Sequence, residues 1–224
     1  MPRDPPRRRR RPVKRPRSLR AEPRTRPGRR GPQERRGGLN NLGLLAREEG
    51  GHARARELQE ESRAIREELG DVQRRSLSHA NLGDIAVDLG EFAEAAASFA
   101  RALAAAGTAA DEGTAAWAHL GLGESLLLGG DADAAAVHIA SAHRAFRDQR
   151  DELALPHALH LRGVAHLLAG DIDRAGEDLR TALRLRMTLG YRSFALVTID
   201  ELAILHALSG RRASAARLLS ETAR

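Results

Sequence analysis

Apolar residues recur at spacings of three, four and seven from residue 38 onward, with polar residues between them and no β-branched runs. That period belongs to helices packed along one face. Glycine punctuates it at a fixed interval: Gly50, Gly90, Gly130, Gly170 and Gly210 stand 40 residues apart without an insertion. Seven residues before each lies a small residue (Gly43, Gly83, Gly123, Gly163, Ala203), and five after each lies alanine (Ala55, Ala95, Ala135, Ala175, Ala215). Fifteen small residues in three aligned columns mark an internal repeat.

Each column has a physical reading. Glycine after a helical run serves as a left-handed C-terminal cap. Asp131 and Asp171 follow directly and suit the N-cap of the next helix; Glu91 is a weaker choice. Each unit is therefore helix, tight turn, helix. The small columns let the paired helices approach closely, and large slots such as Leu82 and Phe99 fill the space around that contact. The pattern predicts first helices near 38–49, 73–89, 112–129, 153–169 and 193–209, and second helices near 53–68, 92–106, 132–149, 172–188 and 212–223. Pro156 falls in a first turn, where a missing N–H is harmless.

The pattern Leu82-Gly83, Gly90-Glu91-Phe92 and Ala95-x-x-x-Phe99-x-x-Ala102 resembles the tetratricopeptide repeat. The 40-residue period is longer than the usual ~34 and is similar to the kinesin-light-chain-like variety. Leu39-Asn40-Asn41-Leu42-Gly43 and Leu69-Gly70-Asp71 also resemble the C-terminal repeat arrays of large bacterial ATPase-type transcriptional regulators of the SARP and LuxR kinds. Arg162, Ala203 and Gln59 depart from the pattern. The resemblance implies an all-α fold. It would be a right-handed superhelical solenoid of about five units (about 37–71, 72–111, 112–151, 152–191 and 192–224), preceded by a disordered tail over 1–36.

It further implies a binding groove lined by first helices. Carried over unit by unit, the groove residues are Asn40, Asn41, Leu44 and Arg47 in the first unit, and Asn81, Asp84 and Asp88 in the second. Trp117, Leu120, Glu124 and Leu127 follow in the third, His157, His160 and Val164 in the fourth, and Val197, Asp200 and Ile204 in the fifth. The first two units are polar and the last three largely apolar. Asn41 and Asn81 occupy equivalent slots and could hold a peptide backbone through amide bonds or bond locally between helices. Trp117 could anchor a ligand or pack against neighbouring helices. The expected partner is a basic or amphipathic protein or peptide.

Composition divides the chain in two. Residues 1–36 hold 16 Arg/Lys against 3 Asp/Glu and eight of the nine prolines, leaving 21 basic and 27 acidic residues in 37–224. The formal charge of +7 thus sums a +13 tail and a −6 array. The tail reads as an arm for non-specific nucleic-acid or other polyanion binding, as a solvated linker, or as GC-rich DNA translated in an arbitrary frame. The arginines could also occupy the polar end of the groove. Without cysteine there is no disulfide or thiolate site, and Lys14 is the single lysine, so the array has no P-loop or Schiff-base lysine. No apolar run spans a bilayer, and the expected location is cytoplasmic. His157, His160 and His166, like His138 and His143, lack a carboxylate to complete a metal site, and no nucleophile or dinucleotide motif is complete. A non-catalytic binding scaffold without cofactor is the reading. Its rivals are a detached sensor fragment that takes a small effector and a basic-tailed nucleic-acid binder. The last helix carries no polar capping partner, so self-association through that end or a truncated parent chain is expected.

Overall fold

The computed structural model describes residues 32–71 and 74–222. Residues 1–31, where most of the tail falls, lie outside the described residues. The described chain forms five helical hairpins in succession: α1 (Pro32–Glu48) with α2 (His52–Glu68), α3 (Arg75–Asp88) with α4 (Phe92–Ala109), α5 (Glu112–Leu128) with α6 (Ala132–Gln149), α7 (Leu155–Leu168) with α8 (Ile172–Thr188), and α9 (Arg192–Leu208) with α10 (Arg212–Thr222). Every boundary lies within three residues of its sequence prediction except the start of α1. That helix begins at Pro32, six residues earlier than expected.

The caps explain the agreement. The five repeat glycines adopt left-handed φ between 73° and 91°. In each turn the next N–H reaches back to close the helix, as Glu91 does to the Ala86 carbonyl at 2.9 Å and Asp131 to the Leu126 carbonyl at 2.9 Å. Asp111, Asp131 and Asp171 each accept an N–H three residues on, at 3.0, 3.1 and 3.2 Å. Glu91 makes no such cap; its carboxylate pairs with Arg56 of the preceding unit. A second left-handed column, between units, runs Gly70, Ala110, Arg150 and Gly190, again at 40-residue spacing.

Small residues face large ones inside each hairpin. A methyl group at Gly43, Gly83, Gly123 or Gly163 would stand 2.6–2.8 Å from Gln59, Phe99, Ile139 or Leu179 respectively. Phe99 also fills the space above Gly121 in the next unit, where a methyl would come within 2.4 Å of its ring. One side chain thereby wedges α4 against both α3 and α5. The apolar core is continuous along the stack: Phe99 packs with Ala118 and Leu122 of the next unit, Ile139 and Phe146 with Ala154, Ala158 and Leu161, and Leu179 with Leu202 and Leu205. Each unit completes its core with its neighbour, as repeat arrays do.

Two joints between units are built around a buried arginine. In the first, buried Arg66 of α2 donates to the Arg74 carbonyl at 3.3 Å, to Ser78 Oγ, and to Asn40 Oδ1 at 3.2 Å. In the last, buried Arg186 of α8 donates to the Phe194 carbonyl at 2.8 Å and to Thr198 Oγ1, which lies 3.4 Å from His160 Nδ1. Arg66, Ser78 and Asn40 match Arg186, Thr198 and His160 at a shift of 120 residues, three units. The same arginine slot holds buried Ala106 and Phe146 in the middle joints, the second of which also carries a contact between Arg162 and His143.

Candidate peptide-binding groove

First helices meet one another from unit to unit, α3 with α5, α5 with α7 and α7 with α9, and so line one face of the array. A cavity of about 460 Å³ lies in that face. On α3, Leu77, Asn81, Asp84 and Asp88 reach it at spacings of three and four, which place them on one helical stripe. On α5 the stripe is Thr114, Trp117, Leu120 and Glu124. Arg47 of α1 closes one end, and His157 of α7 and Phe194 of α9 close the other. Trp117, His157 and Phe194 are shared with a second cavity of about 370 Å³, walled by Leu153, Pro156, Arg186 and Tyr191. The two form one groove, polar at the α1–α3 end and aromatic at the α7–α9 end.

The polar end is acidic. Arg47 is one cation shared by two carboxylates: it pairs with Asp88 through Nε and Nη2, the latter at 3.2 Å, and reaches Asp84 with Nη1 at 3.3 Å. His52 Nδ1 lies 3.5 Å from Asp88. Glu124 has His157 Nε2 at 3.9 Å. Burial pushes the Asp84 carboxyl up to about 6; the Arg47 charge opposes this and Glu124 and Asp88 add to it. The Asp84 side chain is 43% exposed and lines the groove.

The aromatic end is half open. Trp117 is 47% exposed and Phe194 52% exposed, although each already has a partner. Trp117 packs on Phe146 with centroids 5.1 Å apart. Phe194 meets His157 edge-on at 6.1 Å and lies over the Arg186 guanidinium at 5.5 Å. Burial holds Arg186 down to about 10, and among the described residues no carboxylate stands within ion-pair distance of it.

Eight of the residues expected in the groove line it: Arg47, Asn81, Asp84, Asp88, Trp117, Leu120, Glu124 and His157. The others lie elsewhere. The Asn40 side chain is spent in the first joint. Asn41 and Leu44 are exposed on α1 outside the cavity. Leu127 and Val164 are half-buried against the core. His160 is buried in the last joint, a correction with a plain cause: its slot is the one Asn40 fills in the first joint. Val197, Asp200 and Ile204 are exposed on α9 beyond the two cavities. The amide nitrogen of Asn81 donates to Asn40 Oδ1 at 3.1 Å and to Gln59 Oε1 at 3.4 Å, so it bonds between helices and is not offered to a peptide.

Leu77, Thr114, Phe194, Tyr191 and Arg186 were not expected. Two had a signal. Leu77 belongs to the column of Trp117 and His157, and Phe194 to the column of Thr114 one helical turn earlier. Another cavity, of about 380 Å³, contains Arg56, Arg63 and Arg101. Each of these is paired with a glutamate, Glu91, Glu67 and Glu94, so its charges are satisfied internally. Among the described residues no cluster of three or more potential ligands gathers to hold a metal ion, and no helix is long and apolar enough to cross a membrane.

Residues 36–108 match the tetratricopeptide repeat family model. No curated protein matches the chain. Among solved structures, a Rap protein complexed with competence and sporulation factor superposes with a TM-score of 0.73 at 12% identity, over 82% of this chain and 52% of that one. The chain therefore spans about half the length of that protein. The Rap conjugation gene regulator of plasmid pLS20, in complex with a Phr peptide, gives 0.67 at 14% identity, over 82% of this chain and 51% of that one. The nearly identical TPR-like repeats of a kinesin-light-chain-type protein from Podosopora anserina give 0.67 at 18% identity, over 85% and 93%. By fold, the described chain is a tetratricopeptide-repeat solenoid.

Proposed function

We propose that the chain is a non-catalytic scaffold that holds a basic, amphipathic protein segment or peptide along its first-helix face. One observation carries this reading. Three carboxylates, Asp84, Asp88 and Glu124, share the polar end of the groove with one arginine, Arg47, directly beside the half-exposed rings of Trp117 and Phe194, while Arg186 lies at the aromatic end. A ligand that places a guanidinium or ammonium group near Asp84 and Glu124, and a large apolar side chain against Trp117, would satisfy both ends. Two proteins of the same fold are peptide or factor complexes, which supports the reading by analogy. A role beside bacterial transcriptional or signalling machinery rests on the resemblance carried by Leu39–Gly43 and Leu69–Asp71. The cavities also have the size that small ligands occupy, so a small effector is the competing occupant.

Calorimetric titration of the full chain with short peptides that pair arginine with leucine tests this. The expected result is salt-sensitive binding, weakened about tenfold or more by Asp84→Asn combined with Glu124→Gln, which removes charge without volume. Affinity should also fall from pH 7.5 to 5 as Asp84 takes up its proton near 6. Arg47, His52, Asp88, Glu124 and His157 lie around the same carboxylate cluster. Binding of equal strength in the double variant would sink the assignment, and stabilisation by small metabolites alone would favour the effector.

A further inference from the structure

We propose that the acidic end of the groove is first occupied by the chain's own N-terminal segment, so that an outside ligand must displace it. The inference rests on reading the groove as a site for basic, amphipathic segments. Residues 1–31 hold 14 Arg/Lys against Asp4 and Glu22. The groove offers the complement: Arg47 divides one positive charge between Asp84 and Asp88, and the ion-pair contact of Glu124 is to a histidine at 3.9 Å.

The tether suits the site. Residues 1–31 run directly into α1, and Arg47 in the last turn of α1 forms one wall of the cavity. Pro32 and Arg47 are 15 residues apart along that helix, about 22 Å at 1.5 Å per residue. A 31-residue segment can extend to roughly 95 Å at ~3.1 Å per residue, several times the span needed. Attachment also raises its local concentration to the order of millimolar. A tail stretch of weak intrinsic affinity would therefore still fill the groove.

The sequence selects which stretch. Arg7–Arg11 offers charge but nothing for the rings. Arg17-Ser18-Leu19-Arg20 sets the single leucine of residues 1–31 between arginines. Leu19 would lie on the wall made by Leu77 and Trp117, with Arg17 or Arg20 toward Asp84 and Glu124.

The test uses the full chain, which has no cysteine and one tryptophan, placed in the groove. A nitroxide attached at Ser18→Cys should quench Trp117 emission, whereas the same label at Ser220→Cys on α10 should not. Molar salt, or Asp84→Asn with Glu124→Gln, should relieve the quenching. In a competition, Arg17→Glu with Leu19→Ala and Arg20→Glu should tighten binding of a synthetic peptide of residues 13–21 about tenfold, because the groove is no longer pre-filled. Equal quenching from the two label positions, or unchanged affinity, would overturn the proposal. Quenching without binding of any foreign peptide would instead refute the outside-ligand reading and leave the tail in place.

Discussion

Arg162→Leu should destabilise the array by about 3 kcal/mol, the order expected when a buried ion pair loses one member. Arg162 stands where the first, second, third and fifth units carry Leu42, Leu82, Leu122 and Leu202. Its guanidinium grips Asp178 with two short bonds, Nε to Oδ2 at 2.7 Å and Nη2 to Oδ1 at 2.6 Å. Its third nitrogen lies 2.9 Å from His143 Nδ1. Burial, then the Arg162 charge, lowers the His143 pKa, so the ring accepts rather than donates. Asp178 is only 7% exposed. Without Arg162 its carboxylate would stay buried, with the His166 ring 3.8 Å away.

The repeat itself supplies the rescue. In units one and five the slot equivalent to Asp178 holds Leu58 and Leu218, paired in register with Leu42 and Leu202. Arg162→Leu with Asp178→Leu therefore rebuilds the apolar arrangement of the fifth unit, where Leu218 packs against the cluster that holds Leu202, and should recover most of the lost stability. Asp178→Leu alone should cost less than Arg162→Leu, because the arginine side chain is 30% exposed and can turn to water. Urea midpoints of the four proteins decide this. A double variant no better than Arg162→Leu would show that the pair is not the compensation described.

The second large effect is acid sensitivity at the last joint. Burial first, then the charges of Arg186 and His157, drive the His160 pKa down to about 3. The unfolded imidazole takes its proton near 6.5. Between these values the unfolded chain binds more protons than the folded one, so stability falls as pH falls. At pH 5 the difference is about 1.5 units, or about 2 kcal/mol. His160→Asn installs the residue found at the equivalent place in the first joint, where Asn40 Oδ1 accepts from Arg66. The variant should lose that much less stability between pH 7 and 5. His79, His119, His143 and His206 are also lowered, chiefly by burial, and push the same way, while Asp84, raised to about 6, pushes the other. All remain in the variant, so the difference between the two proteins isolates His160. Parallel stability curves would contradict the assignment.

The helices were legible because their ends are written in local chemistry. A left-handed glycine and a capping aspartate each fix a boundary without help from the rest of the fold. The between-unit column was harder to read, since Ala110 and Arg150 take the left-handed conformation that glycine signals at Gly70 and Gly190. The joints were illegible for another reason. Arg66 and Arg186 do the same job three units apart, and the intervening Ala106 and Phe146 hide the period. His160 was therefore read as a groove residue on helical phase alone. Within the groove, register found the acids and Trp117. The aromatic end depends on Tyr191 and Leu153, which lie just before α9 and α7, where helical phase carries no information.

Trp117 makes the central claim directly measurable. It is the single tryptophan, half exposed, and sits where the acidic and aromatic halves of the groove meet. Titration of the full chain with an arginine–leucine peptide should shift its emission saturably, with the midpoint moved about tenfold or more by Asp84→Asn and Glu124→Gln. Saturable binding that leaves Trp117 emission unchanged, or that ignores both substitutions, would place the ligand elsewhere on the array and contradict the account.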